Sequence, residues 1–107
     1  MMAAKKKPSL TRAKILKTLR EHEDTLKKFS VKRIGLFGSF AKGRGTTKSD
    51  IDFLVEFNEP TYENFYNLIE HLEKLFGRKV EVLTPIALET MRVEEVARDI
   101  RESVVYV

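Results

Sequence analysis

The first hydrophobic stripe along the chain has the spacing of an α-helix. Residues three or four positions apart lie on one face of a helix, so the stripe predicts a helix over residues 10–28 that packs against a core. Ser9 and Thr11 are both suitable N-caps for this helix. His22 lies on the stripe and is interpreted as a packed or rim histidine, as is His71. The members of the stripe are Ile15, Leu16, Leu19, His22 and Leu26.

Two more helices and a short one are predicted in the second half of the chain. Thr61 can cap a helix of about 62–76, which Gly77 can end. Pro85 can start a short helix, and a last helix of about 92–102 follows. The apolar positions of the last helix are Val93, Val96 and Ile100. The aromatic-rich stripe of the earlier helix is interpreted as core packing and comprises Tyr62, Phe65, Tyr66, Ile69, Leu72 and Phe76.

Three segments have the pattern of β-strands, over residues 31–37, 50–57 and 79–84. Gly38 marks a break after the first strand, and residues 43–49 form a loop of the Gly, Thr, Lys and Ser type. The apolar, β-branched end of the chain, VVYV, is suited to an added edge strand. The order of these elements predicts an α/β (α+β) domain with a small mixed sheet flanked by helices.

The second predicted strand carries the most chemical information. Side chains alternate across a strand, and the face that must be buried under helices comprises Ile51, Phe53, Val55 and Phe57. Asp50 and Asp52 therefore lie on the opposite, open face, together with Leu54 and Glu56. Their Cα atoms are ~6.6 Å apart, which is two steps of ~3.3 Å, so both carboxylates can reach one Mg²⁺ or a pair of metal ions. From this short pattern alone, two solvated aspartates at a loop end are the alternative.

An anion-binding turn is predicted directly before this strand. Gly38 lets a phosphate approach the backbone because it has no Cβ. Ser39 offers a hydroxyl and a backbone N–H at the start of a short turn or helix, and the basic residues Lys42 and Arg44 follow. A cradle for phosphate and a carboxylate pair for a cation thus meet at the ends of two strands, as a metal-bound triphosphate requires.

Charge and length limit the partners that the sequence predicts. The formal net charge of the 107 residues is +4, and Lys5, Lys6 and Lys7 supply three of those charges, which leaves +1 for the rest. A nearly neutral domain does not indicate a nucleic-acid partner. Residues 1–8 are expected to form a disordered basic tail, and residues 9–107 a single domain with no room for a separate substrate domain.

Cysteine and hydropathy content indicate the compartment. The chain has no cysteine, which excludes disulfides and thiolate zinc sites within it. No run approaches the ~18 apolar residues of a membrane span, and no apolar segment follows the basic start as in a secretory signal. A cytoplasmic location without membrane association is therefore expected.

Residues 38–55, GSFAKGRGTTKSDIDFLV, resemble the signature of the DNA polymerase beta-like nucleotidyltransferase superfamily. In that signature Gly-Ser is followed by ten residues and then by Asp-x-Asp on a strand, and here residues 40–49 are the ten. Ala41, Lys42, Gly43 and Ser49 make the segment similar to the minimal nucleotidyltransferases of bacteria and archaea. The resemblance extends over about residues 10–107 and implies the superfamily's fold.

The resemblance also implies roles for individual residues. Asp50 and Asp52 match the two metal-binding carboxylates. Glu81 stands at the position of a third carboxylate, commonly Asp in the family, which implies a base or a metal ligand. Since Glu is one methylene longer than Asp, a surface glutamate is the alternative. The residues expected to hold the nucleotide are Gly38, Ser39, Lys42, Arg44 and Ser49.

The implied reaction is Mg²⁺-dependent nucleotidyl transfer from ATP. Minimal nucleotidyltransferases of this type resemble the antitoxins of HEPN–MNT pairs, which transfer AMP to a tyrosine of a HEPN-domain ribonuclease toxin. The first hypothesis is therefore a protein adenylyltransferase antitoxin with a HEPN-domain partner. One alternative is a catalytically impaired antitoxin that acts by binding alone. Another is a small-molecule nucleotidyltransferase, which normally has an added domain.

Overall fold

The computed structural model describes residues 10–107, so the predicted tail over residues 1–8 and the candidate cap Ser9 lie outside the described residues. The four strands of this part of the chain form a single sheet, and the helices pack around it. In chain order they are α1 (Arg12–Glu21), α2 (Glu23–Lys28), β1 (Val31–Phe37), α3 (Gly38–Ala41), β2 (Ile51–Phe57), α4 (Tyr62–Phe76), β3 (Val80–Leu83), α5 (Pro85–Glu89), α6 (Glu94–Ser103) and β4 (Val105–Tyr106).

The sheet has the strand order β3-β2-β1-β4. β1 is antiparallel to both of its neighbours, β2 and β4, whereas β2 and β3 are parallel. The parallel pair needs a crossover connection, which α4 provides. The mixed sheet and the edge strand predicted from VVYV are both confirmed. None of the helices within residues 10–107 could cross a membrane by length and apolar character.

The predicted first helix is divided in two at His22. The hydroxyl of Thr11 accepts the N–H of Lys14 at 3.2 Å and so caps α1. At His22 the backbone leaves the helical range, with φ −109° and ψ 22°, and its ring Nδ1 lies 2.9 Å from the carbonyl oxygen of Thr18. The prediction of one continuous helix was wrong because this break involves no glycine or proline, which are the usual sequence signals for a helix end.

α4 was predicted with its correct bounds but with an incorrect buried face. Thr61 caps it and Gly77, with φ +67°, ends it, as expected. Tyr62 and Tyr66 are 81% and 61% exposed and stack on each other, so their assignment to the core was wrong. Tyr66 lies about 100° around the helix from Phe65, which places it beyond the face that Leu68 and Leu72 bury.

The main core lies between α1, α2, α4 and one face of the sheet. The apolar face predicted for the second strand is fully included, since Ile51, Phe53, Val55 and Phe57 are all buried. His71 packs at the rim, with its ring centroid 5.2 Å from that of Phe29. Burial lowers the pKa of His71, assisted by His22 and Lys74. These surroundings support the interpretation of His71 as a packed histidine.

The other face of the sheet is not open along its whole length. A second core cluster lies between this face and the helices α5 and α6, and it comprises Phe37, Leu54, Leu88, Ala97 and Ile100. Leu54, predicted to lie on an open face, is only 4% exposed. α6 packs here through Ala97 and Ile100, whereas Val93 and Val96 are about half exposed, contrary to the predicted stripe. Asp52 therefore lies beside an apolar cluster, partly buried, and Asp50 is exposed.

Candidate active site

The turn after β1 brings Gly38 against the carboxylate of Asp52. The last pair of the antiparallel β1–β2 ladder joins Phe37 to Asp52, and Gly38 follows with φ +77°. A Cβ on Gly38 would collide with Oδ2 of Asp52. Two independent reasons therefore favour glycine at this position: its φ is left-handed, and the carboxylate of Asp52 occupies the space that a side chain would need. Ser39 comes next, partly exposed.

Three carboxylates, those of Asp50, Asp52 and Glu81, lie near the start of β2. Asp52 is paired across the parallel ladder with Glu81 of β3, and Asp50 lies two residues before it. The pKa of Asp52 is raised from 3.8 to about 6, first by burial, then by the charge of Glu81 and then by that of Asp50. Within residues 10–107, no lysine or arginine forms an ion pair with any of the three. The site therefore carries excess negative charge that a bound cation would offset.

The donor set suits Mg²⁺ bound together with a nucleotide. The described residues contain no cluster of three His, Cys, Asp or Glu side chains arranged to hold a metal ion. Mg²⁺ in nucleotide sites is usually held by one or two carboxylates together with phosphate oxygens and water, rather than by an all-protein cage. Asp50 and Asp52 can supply those carboxylates.

The loop over residues 43–49 is closed by its own hydrogen bonds. The hydroxyl of Ser49 accepts the N–H of Thr46 at 3.0 Å, and the N–H of Arg44 donates to the carbonyl of Ser39 at 2.8 Å. The side chain of Arg44 is exposed at the surface. Ser49, predicted to hold the nucleotide, thus shapes the loop, and the backbone of Arg44 is hydrogen-bonded to that of Ser39.

Lys42 is engaged away from the carboxylates. Its Nζ lies 2.8 Å and 3.0 Å from the two carboxylate oxygens of Asp99 on α6. This ion pair ties α3, which carries Ser39, to the helix that covers the second core cluster. Lys42 remains a predicted phosphate ligand, but in this structure its charge is matched by Asp99.

Two residues near the site were not found by sequence reasoning. One is Asp99, whose partner is 57 positions away in sequence. The other is Arg78, which donates from Nη1 to the carbonyl oxygens of Thr46 at 2.9 Å and Ser49 at 3.0 Å. The only local signal for Arg78 is an arginine placed between the helix-ending Gly77 and a strand. That signal does not show which carbonyls the side chain reaches.

Comparison with known proteins assigns this arrangement to a family. A family model described as a nucleotidyltransferase domain matches residues 14–107. The chain belongs to the nucleotidyltransferase family. As a nucleotidyltransferase it has the activity that the Gly-Ser and Asp-x-Asp segments indicated. The family resemblance and the predicted nucleotidyltransferase fold, a small mixed sheet flanked by helices, are both confirmed.

Curated relatives of this nucleotidyltransferase are named for protein adenylylation. MJ1379 of Methanocaldococcus jannaschii, a candidate protein adenylyltransferase, is 42% identical over 101 residues, which are 91% of this chain and 98% of the relative. The protein adenylyltransferase MntA of Thermococcus cleftensis is 36% identical over 100 residues, which are 92% and 97% of the two chains.

Solved structures share the fold of this nucleotidyltransferase at low sequence identity. A candidate minimal nucleotidyltransferase superposes with a TM-score of 0.70 at 21% identity, covering 90% of this chain and 95% of that chain. A toxin–antitoxin structure with AMP-PNP superposes with a TM-score of 0.58 at 21% identity, covering 91% and 72%. These likenesses show the fold alone.

Proposed function

We propose that this nucleotidyltransferase is an antitoxin that transfers AMP from ATP to a tyrosine hydroxyl of a HEPN-domain ribonuclease toxin. The observation that carries the proposal is the match, over more than nine-tenths of the chain, to the protein adenylyltransferase MntA. A toxin–antitoxin complex named MntA–HpeT also shares the fold. Gly38, Ser39, Asp50 and Asp52 are all present here, which supports an active enzyme over one that acts by binding alone.

Each residue of the site has a proposed role in the transfer. Asp50 and Asp52 would hold Mg²⁺, which when bound would supply positive charge to neutralise phosphate oxygens. Gly38 leaves space for the carboxylate of Asp52, and Ser39 donates to the triphosphate. The acceptor oxygen attacks the α-phosphorus, the bond from the α-phosphorus to the bridging oxygen breaks, and pyrophosphate leaves. Glu81 takes the proton of the acceptor hydroxyl.

The exposure of the site supports a protein acceptor. Asp50 and Glu81 are exposed at the edge where β2 and β3 begin, so an acceptor side chain can approach from solvent. A reacting hydroxyl must come within ~3–3.5 Å of the α-phosphorus, which a tyrosine on a docked partner can reach. The small net charge outside Lys5–Lys7 does not favour a nucleic-acid primer. The proposed location of the reaction is the cytoplasm, where ATP is available.

The test of this function is co-expression with the adjacent open reading frame, followed by intact-mass analysis of the partner. We expect one or more added AMP units on a HEPN-domain protein, located on tyrosine by peptide mapping. The control is Asp50→Ala, which should leave the partner bound but unmodified. A partner that is bound yet never modified would support the binding-only antitoxin instead. A neighbour that is neither bound nor modified would refute the antitoxin proposal.

The role of Glu81 can be tested separately with Glu81→Gln. We expect this variant to slow transfer by on the order of a hundredfold, the usual contribution of a general base, with the KM for ATP changed much less. Glu81 lies opposite Asp52 and is exposed, where an acceptor hydroxyl can reach it. As the proposed base it acts in the chemical step rather than in the binding of ATP. The measurement is single-turnover transfer at saturating ATP. Equal rates for the two proteins would make Glu81 a surface glutamate.

A further inference from the structure

Arg78 lies in the short connection between α4 and β3 and contacts the loop that leads to Asp50. Its Nη1 donates to the carbonyl oxygens of Thr46 at 2.9 Å and of Ser49 at 3.0 Å. The side chain is partly buried. One guanidinium nitrogen thus holds two carbonyl oxygens that are three residues apart, so it restrains the end of the loop that leads to Asp50.

The same connection holds the chain on the other side of Asp50. The N–H of Ile51 donates to the carbonyl oxygen of Lys79 at 3.2 Å. The carbonyl of Ser49 and the N–H of Ile51 belong to the two peptide groups that flank the Cα of Asp50. Both peptide groups are therefore bonded to the dipeptide Arg78–Lys79, which determines the direction in which the carboxylate of Asp50 leaves the backbone.

A buried aromatic ring joins this arrangement to the Gly-Ser turn. Phe40 is 2% exposed, and its ring centroid lies 5.2 Å from the guanidinium carbon of Arg78. A Cβ on Gly45 would collide with the same ring, so the loop packs directly on it. Phe40 follows Ser39 in α3. Arg78 consequently contacts both halves of the active-site motif, the Gly-Ser turn through Phe40 and the aspartate strand through Ser49.

We propose that Arg78 is a positioning residue that holds the carboxylate of Asp50 in the place that nucleotidyl transfer requires. A lysine cannot fully replace it, because an ammonium group lacks both the planar guanidinium, whose carbon lies over the ring of Phe40, and the fixed geometry of its donors. The metal-binding role of Asp50 rests on the proposed function. The contacts of Arg78 do not depend on which acceptor is modified.

The test compares Arg78→Met and Arg78→Lys with a matched control, Arg33→Met. Arg33 also has a guanidinium over an aromatic ring, 4.0 Å from the centroid of Tyr106, and an ion pair, with Glu56. It lies toward the opposite end of β1 from Gly38, so the same chemical change is made away from the site. All variants are assayed well below their melting temperatures, so that a loss of folded protein does not enter the rates.

Two measurements together decide the proposal. In hydrogen–deuterium exchange, Arg78→Met should exchange faster than wild type over residues 44–51, and Arg33→Met should not. In transfer assays, Arg78→Met should lose about tenfold to a hundredfold in kcat. It should also need more Mg²⁺ for half-maximal rate and show a KM for ATP within about twofold of wild type. Arg78→Lys should recover part of the rate.

Three results would overturn the proposal. They are unchanged exchange over residues 44–51, faster exchange with an unchanged kcat, and a loss of kcat that Arg33→Met reproduces. If the wild-type protein fails to modify a HEPN-domain partner, the proposed acceptor fails. The exchange pattern and the Mg²⁺ dependence of AMP-PNP binding then still decide the role of Arg78, because neither needs an acceptor.

Discussion

Asp52→Asn is expected to remove most of the nucleotidyl transfer activity. Asp52 lies between Phe37 and Glu81 in the middle of the sheet, and its carboxylate is the more buried of the aspartate pair. Loss of one oxygen that is proposed to bind the metal should cost several kcal/mol of transition-state stabilisation, on the order of a hundredfold or more in rate. Single-turnover transfer in Mg²⁺ measures this. A near wild-type rate would remove Asp52 from the catalytic set.

The same substitution is expected to stabilise the metal-free protein. The pKa of Asp52 is raised from 3.8 to about 6, so its carboxyl group contributes stability below about pH 3.8 and loses it as the pH rises to about 6. At pH 7 the charged carboxylate is therefore destabilising, by about 1–2 kcal/mol once its partial exposure is allowed for. Asn is neutral throughout and should melt several degrees higher at pH 7.

The stability gain should depend on pH and on metal in a defined way. Below pH 4 the two proteins should melt alike, because Asp52 is then protonated. With Mg²⁺ and AMP-PNP present, the wild-type protein should gain more stability than the variant, since a ligand stabilises the form that binds it. A variant that melts lower than wild type at pH 7 would show that the Asp52 carboxylate makes stabilising contacts instead.

Gly38→Ala is expected to lower both nucleotidyl transfer and stability. The left-handed φ of +77° costs an alanine about 1–2 kcal/mol. The new Cβ also collides with Oδ2 of Asp52, so the carboxylate must move. A displacement near 1 Å is enough to lower kcat on the order of a hundredfold. The measurements are kcat and the free energy of unfolding.

Gly43→Ala and Gly77→Ala are matched controls for this experiment. Both glycines have a left-handed φ, +76° and +67°, but an added Cβ would meet no atom within 4 Å. They should lose about the same stability from backbone strain as Gly38→Ala does, and should keep transfer within a few fold of wild type. If Gly43→Ala loses as much activity as Gly38→Ala, strain alone explains the effect and the contact with Asp52 does not matter.

The features of the fold that could be predicted from the sequence are those that local periodicity determines. Alternation along β2 correctly separated Phe53 and Val55 from Asp52, because the pleat of a strand determines which side chains share a face. Alternation cannot show what covers the second face. Leu54 is buried by Ala97 and Ile100 of α6, more than forty residues later, and only the tertiary fold brings them together.

The positions of the candidate site residues were predictable to a similar extent. The spacing from Ser39 to Asp50 singled out two segments that the structure places side by side, at the end of β1 and the start of β2. The contacts of Lys42 and Arg78 could not be predicted. A long side chain can reach many partners, and the choice of Asp99 or of the carbonyl of Ser49 depends on how distant segments pack. The roles of all the site residues remain predictions: nucleotide binding by Gly38, Ser39, Lys42, Arg44 and Ser49, and metal binding or catalysis by Asp50, Asp52 and Glu81.

The contact between Gly38 and Asp52 makes the order of mutations matter in a lineage that gives up catalysis. While aspartate occupies position 52, almost any side chain at position 38 disrupts both the turn and the carboxylate, so substitution there is penalised first. Once position 52 carries a smaller residue, the collision disappears and only the cost of the left-handed backbone remains. Inactive descendants should therefore lose Asp52 before Gly38, and intermediates with the reverse order should be rare.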